Sequence, residues 1–157
     1  TDSNLIVAGK GTFGEYWCSA TGSENVALSA AKNSVNMEQV YEWNPEKIFI
    51  STLTSFMPAD LYGNTAGIGH DWSTVKAVED EEVYKFPLGM HRWWPPSTDS
   101  PLSLWWIAKN TYPELFEDID MEKITKDYYE EFYGMKLSDD DIKWIFNPRE
   151  NLGRSAS

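Results

Sequence analysis

Three short apolar runs, separated by helix-like segments, constrain the fold of this chain most strongly. The runs are rich in Ile, Val and aromatic residues and lie at 5–8, 47–51 and 82–86. Apolar residues recur at helical spacing between them, over 13–20, 37–43 and 72–79. Strands that alternate with helices are typical of a parallel sheet covered by helices. The order therefore predicts an α/β fold, in which a short, mostly parallel central sheet is flanked by helices in three layers.

Helix signals dominate the second half of the chain. Apolar residues again recur at helical spacing, and the predicted helices run over 100–110, over 121–133 and from about 139 onward. Asp120 is a candidate N-cap and Gly134 a candidate stop for the middle helix, while Ser138 precedes an acid by three residues, as in a capping box. Asn36 is the candidate cap of the earlier helix over 37–43.

The composition narrows the classes of function. The chain has 157 residues, a formal net charge of −12 and a sequence pI of about 4.5. A phosphate backbone would be repelled by most of such a surface, so we expect no nucleic-acid partner. No apolar run reaches the roughly 18 residues of a membrane span, and the first residues show no signal-peptide pattern. The lone Cys18 permits neither an internal disulfide nor a cysteine-based zinc site, and it leaves the compartment open.

Residues 90–97, Met-His-Arg-Trp-Trp-Pro-Pro-Ser, form the most distinctive tract for function. Two adjacent prolines forbid regular helix, and Trp94 before Pro95 is pushed towards an extended conformation. Neighbouring side chains of an extended segment point to opposite sides, so one indole is expected to pack inward and the other to be displayed. A displayed indole beside Arg92 and His91 offers a stacking surface, a guanidinium fork and a titratable donor. The alternative is that both indoles seal the loop onto the core.

Catalytic and metal-binding patterns are sparse. His70 and His91 are the two imidazoles, and neither is flanked by ligands at metal-binding spacing, so we expect no protein-only metal site. No Gly-x-Ser-x-Gly motif is present, and Cys18 lies on a predicted amphipathic helix, where a buried thiol is expected rather than a nucleophile. The acids at 79–82 predict a solvated turn rather than a calcium loop or a glycosidase pair.

A series of motifs resembles one transport family. The motifs are Asn-Val-Ala at 25–27, Met-Glu-Gln-Val at 37–40, Asn-Pro-Glu-Lys-Ile-Phe-Ile at 44–50, Trp72 with Val-Lys-Ala-Val at 75–78, Glu-Val-Tyr at 82–84, Pro-Ser at 96–97, Trp-Ile-Ala-Lys at 106–109 and Tyr-Pro-Glu at 112–114. Their order closely resembles the C-terminal half of bacterial iron-siderophore and vitamin B12 solute-binding proteins. These proteins are the class III binding components of ABC importers. The resemblance runs from about residue 5 to residue 146.

The resemblance implies a receptor of two α/β lobes joined by a long, rigid helix, with the ligand held in the cleft between them. Residues 1–146 would form the C-terminal lobe and 147–157 a loose tail, and we expect the N-terminal lobe and the linking helix to be absent from this chain. The family further implies an extracytoplasmic protein, either anchored as a lipoprotein or free in the periplasm. It implies neither enzymatic activity nor a resident cofactor.

A docking residue also follows from the resemblance. In this family a glutamate on each lobe docks to arginines of the membrane permease, and the matching residue in the Glu-Gln-Val element is Glu38. An exposed acid early in a helix suits such a role. Without the resemblance, Glu38 would be an ordinary acid at a helix start.

The candidate ligand-binding residues follow from topology, because ligands of parallel α/β lobes lie beyond the carboxyl ends of the strands. The residues at those ends are Lys10, Thr12, Phe13, Thr52, His91, Arg92, Trp93 and Trp94. Arg92 and Lys10 are expected to meet anionic oxygens of an iron(III)-siderophore, with Trp93 or Trp94 over its organic shell. The chelator wraps the metal, which then needs no protein ligand. An oxyanion such as molybdate would use the same donors, and haem and cobalamin are further alternatives.

Two readings lie outside this family. A carbohydrate-binding module would explain the eight Trp and eight Tyr residues through stacking on sugars, but such modules are usually all-β. A hydrolase would need a nucleophile and a base that the sequence does not assemble.

Overall fold

The computed structural model describes residues 5–30 and 34–147. The predicted loose tail lies outside the described residues, except for Asn147. The chain forms two compact units, one that ends at Lys85 and one that begins at Phe86. Within the described ranges, no helix is long and apolar enough to cross a membrane.

The first unit combines short strands with short helices. Its elements are β1 (Leu5–Ile6), α1 (Phe13–Thr21), a 3-10 helix (Val26–Ser29), β2 (Ser34–Val35), α2 (Met37–Trp43), β3 (Ile48–Ile50), α3 (Pro58–Tyr62), α4 (Lys76–Glu79) and β4 (Val83–Lys85). Strands β3 and β4 pair in parallel, with Ile48 opposite Val83 and Ile50 opposite Lys85. Together with the helices of the second unit, this confirms the predicted α/β class: the chain is rich in helix and has a small parallel sheet.

Strand β1 differs from the expectation of a single parallel sheet. It ends at Ile6 and pairs antiparallel with β2, which lies in a stretch whose polar character did not predict a strand. Leu5 lies opposite Val35, and Val35 is almost fully buried in the core of this unit. Burial of one apolar residue is enough to fix the pairing of a two-residue strand, and such a short element leaves no alternating pattern in the sequence.

The core of the first unit gathers residues from α2, β3, β4 and the segment before α4. Its buried members include Met37, Val40, Ile50, Trp72 and Val83. Each of these residues occupies an apolar position of a run that the sequence predicts to be strand or helix. Helix α2 begins as predicted at Asn36, whose side chain accepts from the Gln39 N–H while the Gln39 side chain accepts from the Asn36 N–H.

The helix predicted over 72–79 is shorter than expected and begins only at Lys76. The first residues of the predicted range form a turn instead, in which the Val75 N–H donates to the Trp72 carbonyl oxygen at 3.1 Å, over three residues rather than the four of an α-helix. Asn64 Oδ1 accepts from the Trp72 N–H at 2.7 Å, and Asp71 Oδ1 accepts from the Ser73 N–H at 3.0 Å. The indole of Trp72 donates to the Ala66 carbonyl at 2.7 Å, which holds this turn in the core.

The second unit is helical. It contains α5 (Ser100–Thr111), a 3-10 helix (Pro113–Leu115), α6 (Met121–Tyr133) and α7 (Asp139–Phe146). The predicted caps are confirmed: Asp120 accepts from the Lys123 N–H, Gly134 ends α6 in the left-handed conformation, and Ser138 forms a capping box with Asp141. The Phe86 ring packs against that of Trp106 at a centroid distance of 4.9 Å. The buried side chains of these helices include Leu102, Trp106, Ile107, Met121, Tyr129, Ile142 and Ile145.

Candidate functional site

Residues 88–92 form a tight hairpin that carries two of the predicted ligand residues. Leu88 and Arg92 form an isolated antiparallel bridge, and the Gly89 N–H donates to the His91 carbonyl oxygen at 3.1 Å. The Leu88 N–H donates to the carbonyl oxygen of Ile145 on α7 at 3.0 Å. The hairpin is therefore fixed to a helix at its base, while His91 is exposed and Arg92 is partly exposed.

The two neighbouring indoles have different environments. Trp93 is fully buried, its ring lies edge-on to Phe146 at a centroid distance of 5.6 Å, and its carbonyl oxygen accepts from the Ser103 hydroxyl at 3.0 Å. Trp94 is half-buried and packs edge-on to Phe86 at 5.1 Å. Of the two rings, Trp94 is the one that a ligand can reach without movement of the loop.

Arg92 and Lys10 differ from the other cations that the structure describes. Ion pairs with carboxylates engage Lys47, Lys76, Lys123, Lys126, Lys136 and Lys143. Lys85 and Lys109 donate to backbone carbonyl oxygens. Among the residues that the structure describes, Arg92 and Lys10 are the cations with neither kind of partner. Both belong to the set predicted from the sequence to meet a ligand.

Lys10, Thr12 and Phe13 lie at the turn that leads into α1. The Thr12 hydroxyl donates to the Gly9 carbonyl oxygen at 2.6 Å, and the Gly11 N–H donates to Glu15 Oε2 at 2.6 Å. The hydroxyl hydrogen of Thr12 is therefore engaged, and in this conformation Thr12 offers a ligand only its acceptor lone pairs. Lys10 is exposed, and Phe13 is 50% exposed, so these two side chains are open to a ligand.

Thr52 lies in a loop that wraps around a buried ammonium group. Lys85 Nζ donates to the carbonyl oxygens of Ser51, Thr54 and Phe56 at 2.8, 2.6 and 2.9 Å, and Lys85 is only 7% exposed. Thr52 is 4% exposed, and its hydroxyl has no partner among the described residues. A buried hydroxyl without a partner is uncommon in proteins, which makes Thr52 a candidate donor to a ligand.

Asp99, Tyr129 and Tyr133 form a hydrogen-bonded group next to the hairpin, which is called the acidic cluster after its carboxylate. Asp99 is fully buried at the start of α5; its Oδ2 accepts from the Tyr129 hydroxyl at 3.0 Å and its Oδ1 from the Tyr133 hydroxyl at 2.8 Å. The Tyr129 oxygen in turn accepts from the Met90 N–H at 2.7 Å. Burial, together with the Asp99 carboxylate, raises the pKa of Tyr129 and that of Tyr133, so both phenols stay protonated.

The sequence analysis missed Lys85, Asp99 and Tyr129. A lysine inside the apolar run of β4 is an available signal, since lysine is almost never fully buried without partners. Asp99 lies in a Ser-Thr-Asp-Ser segment and Tyr129 in an aromatic-rich helix, and neither context separates them from surface residues.

Glu38 occupies the first turn of α2 and is exposed. It forms no ion pair with any cation in the described part of the chain. One turn further on, the Tyr41 hydroxyl donates to the Asp71 carbonyl oxygen at 2.6 Å, which ties α2 to the loop before α4. The acid therefore stands on an anchored helix and is accessible to a partner.

Each unit, taken by itself, carries accessible groups of the kind that bind anions. The first unit has Lys10 and the exposed ring of Phe13, and the second has Arg92, His91 and the half-buried ring of Trp94. Across residues 5–30 and 34–147, no group of three or more His, Cys, Asp or Glu side chains is placed to hold a metal ion. The Trp residues mostly pack in the core, which argues against a sugar-stacking surface: Trp17, Trp72, Trp93 and Trp106 are buried, Trp43, Trp94 and Trp144 are half-buried, and Trp105 is 40% exposed.

No protein-family model matches the chain. The chain is 31% identical over 141 residues to the molybdate-binding protein MolA of Haemophilus influenzae, a match that covers 87% of this chain and 38% of MolA. A periplasmic solute-binding protein from Veillonella parvula has a similar structure, with a TM-score of 0.82 and 31% identity, and the match covers 94% of this chain and 45% of that protein.

Two further structures carry metal-containing ligands. MolA bound to molybdate matches with a TM-score of 0.68 and 27% identity over 87% of this chain and 41% of MolA. Helicobacter pylori CeuE with Ni(II) bound matches with a TM-score of 0.67 and 27% identity over 87% of this chain and 43% of CeuE. The chain thus spans less than half the length of the relatives that it matches. The resemblance drawn from the sequence is confirmed, since these neighbours are periplasmic solute-binding proteins of ABC transporters.

Proposed function

We propose that this chain, which resembles periplasmic solute-binding proteins in sequence and fold, is one lobe of the extracytoplasmic substrate-binding component of an ABC importer. In this proposal residues 1–146 correspond to the C-terminal lobe, and the ligand is held between this lobe and a second one. The relatives are transport proteins rather than enzymes, and we propose no catalytic activity for this chain.

One observation carries the proposal of an anionic ligand. In a chain of net charge −12, the side chains of Arg92 and Lys10 have neither an acid nor a carbonyl oxygen as partner among the described residues. An unpaired guanidinium is suited to a bidentate bond with a carboxylate or an oxyanion. We infer that Arg92, in the second unit, is available to a negatively charged ligand. In the first unit, Lys10 and the buried Thr52 hydroxyl are further groups without a described partner.

Molybdate is the ligand that we propose first. It is a compact dianion, and the relative with 31% identity over 87% of this chain is a molybdate-binding protein. An iron(III)-siderophore, which the family resemblance suggested, is the second candidate. It is favoured by accessible aromatic surface, since Phe13 is 50% exposed and Trp94 is half-buried. Haem and cobalamin would also need such surface, but neither has a separate observation in its favour.

The partner that we propose is the membrane permease of the importer, contacted through Glu38. Glu38 is exposed on an anchored helix and has no cation partner in the described structure. A carboxylate in this setting can form a charge-assisted bond with a permease arginine. The proposed location is extracytoplasmic. Membrane fractionation of the producing cells distinguishes a lipoprotein, which is found with the membranes, from a free periplasmic protein, which is not.

Titration calorimetry tests the ligand proposal directly. Sodium molybdate, sodium sulfate, a ferric catecholate siderophore, haem and cobalamin are each titrated into the 157-residue chain and into a longer protein that joins it to the proposed second lobe. We expect molybdate to bind the longer protein at least about a hundredfold more tightly than this chain, about 2.7 kcal/mol, because a cleft closes with contacts from two lobes. Equal affinities would contradict the two-lobe proposal. Binding of the siderophore without binding of molybdate would reject molybdate and favour the siderophore as the ligand.

A further inference from the structure

We propose that Tyr129 and Asp99 are positioning residues, which fix the hairpin 88–92 so that His91 and Arg92 are presented to the ligand. The proposal rests on the proposed function, in which Arg92 meets an anionic ligand. Neither Tyr129 nor Asp99 touches the ligand in this proposal. They act through the backbone of the hairpin.

The contact with the hairpin is made at its tip. Within the hairpin, Leu88 pairs with Arg92 and the Gly89 N–H bonds the His91 carbonyl oxygen, which leaves the Met90 N–H without a hairpin partner. That N–H donates to the Tyr129 oxygen at 2.7 Å. Tyr129 is 2% exposed and lies on α6, so its oxygen is a fixed point in the core. The tip of the hairpin is therefore anchored to a rigid helix by a single acceptor.

Asp99 sets the direction of that hydrogen bond. A backbone N–H can only donate, so the Tyr129 oxygen must face Met90 with a lone pair. The Tyr129 hydroxyl hydrogen is then directed to Asp99 Oδ2, which lies 3.0 Å away. Asp99 is fully buried at the N-terminus of the 12-residue helix α5, where the helix dipole favours a carboxylate. The chain of bonds thus runs from a buried carboxylate through one phenol to the hairpin backbone.

Gly89 shows how closely the hairpin lies against this cluster. A Cβ atom at this position would lie 2.5 Å from the Tyr129 oxygen and 2.6 Å from Trp93 Nε1, and closer still to Asp99 Oδ2. No side chain fits there without displacing the cluster. The indole N–H of Trp93 is buried, has no partner among the described residues and lies beside the same groups. The Met90 backbone N–H, two residues before Arg92, and the Trp93 indole, one residue after it, therefore both lie against the cluster.

Tyr133 provides a matched control. Its hydroxyl donates to the same carboxylate, through Asp99 Oδ1 at 2.8 Å, and it lies on the same helix one turn after Tyr129. None of the hydrogen bonds of the described chain joins Tyr133 to residues 88–92. Tyr133→Phe removes a bond to Asp99 without removing a bond to the hairpin, whereas Tyr129→Phe removes both.

The first measurement needs no ligand. Amide hydrogen exchange of the 157-residue chain is followed by NMR in the wild type, Tyr129→Phe, Tyr133→Phe and Asp99→Asn. We expect exchange at the Met90 amide to accelerate about tenfold in Tyr129→Phe, because about one hydrogen bond is lost. This acceleration is measured relative to amides of α5 and α6, which report any general loss of stability. In Tyr133→Phe the Met90 amide should change no more than those amides do, and Asp99→Asn should lie between the two. Equal acceleration in both Phe variants would overturn the proposal.

The second measurement links the hairpin to ligand binding, with sodium molybdate as the probe. We expect Tyr129→Phe to weaken molybdate binding about tenfold and Tyr133→Phe less than about threefold. Equal weakening by the two variants, or none by Tyr129→Phe, would also overturn the positioning role. Should the wild type bind no molybdate, that ligand is excluded for this chain, and the exchange of the Met90 amide still decides whether Tyr129 holds the hairpin.

Discussion

The ammonium group of Lys85 donates a 2.6 Å hydrogen bond to the carbonyl oxygen of Thr54, from the end of β4 to the loop after β3. Two more carbonyl oxygens of the same loop, at Ser51 and Phe56, complete its three donors. Three well-placed acceptors offset much of the cost of removing an ammonium from water. Three carbonyl oxygens of the loop that carries Thr52 are thus bound to one buried side chain.

Lys85→Met tests this dependence. Methionine has a similar length but no donors, so the three carbonyl groups must find water or stay unsatisfied. We expect the free energy of unfolding to fall by about 1–3 kcal/mol. Urea denaturation measures the change, and Lys76→Met is the control, because Lys76 makes an exposed ion pair with Asp80 whose loss should cost less than about 1 kcal/mol. Equal destabilisation by the two changes would show that the carbonyl cage adds nothing.

Alkaline pH should weaken the acidic cluster through Tyr133. Burial, and then the Asp99 carboxylate, raise the pKa of Tyr133 to about 12 from an ordinary value of 10.0. A group whose folded-state pKa is raised contributes stability that is complete below its unfolded pKa and is lost as pH rises through its folded pKa. We therefore expect stability to fall between about pH 10 and pH 12.

The matching measurement compares melting temperatures across that pH range. Tyr133→Phe, which has no phenol to ionise, should lose less stability than the wild type over the same interval. Tyr16→Phe is the control, because Tyr16 is 53% exposed. If Tyr133→Phe loses as much stability as the wild type over this range, the loss does not come from ionisation of Tyr133.

Local signals made the helices predictable. Asn36, Asp120 and Ser138 each cap the helix that the sequence assigned to them, because a cap depends on residues only two or three positions away. Helix α3 was missed, since its five residues, Pro58–Tyr62, are too few for a periodic pattern. The pairing of β1 with β2 was missed because two-residue strands carry no register signal.

Some residues of the candidate site could also be predicted from the sequence, and others could not. The ends of the predicted strands suggested Arg92 and Lys10, which have no side-chain partner among the described residues, and their role in ligand binding stays a prediction. Lys10 follows β1, which pairs antiparallel with β2 and not with the parallel strands β3 and β4, so the topological reason for choosing it does not hold. The partners of Lys85 and Asp99 could not be read from the sequence, because they lie about 30 residues away in the chain, although the position of Lys85 in an apolar run is a signal for its burial. Which of two adjacent indoles is buried was also open. In the structure, the contact of Trp93 with Phe146 and the exposure of Trp94 distinguish them.

Glu38→Gln should separate docking from ligand binding. The change removes a charge from an exposed residue without removing bulk, so ligand affinity and folding should stay the same while uptake through the importer falls. Glu122→Gln is the matched control, because Glu122 is likewise an exposed acid in the first turn of a helix, α6. Uptake of radiolabelled molybdate by cells or proteoliposomes is the readout. Loss of molybdate affinity in Glu38→Gln, or equal loss of uptake in both variants, would contradict a docking role.

Arg92→Ala distinguishes a ligand-binding role for the hairpin from a structural one. Arg92 is partly exposed and pairs with no described carboxylate, so its removal should change the free energy of unfolding by no more than about 0.5 kcal/mol. Binding of molybdate should weaken by about 1.5–3 kcal/mol, because a charge-assisted hydrogen bond is lost. Arg92→Lys should retain part of the affinity, since it keeps the charge but not the planar fork. Lys123→Ala, which removes an exposed cation paired with Asp127, should leave binding unchanged. Thermal melts and calorimetry are run on the same preparations, and a variant that melts several degrees early with its molybdate affinity intact would make Arg92 a structural residue.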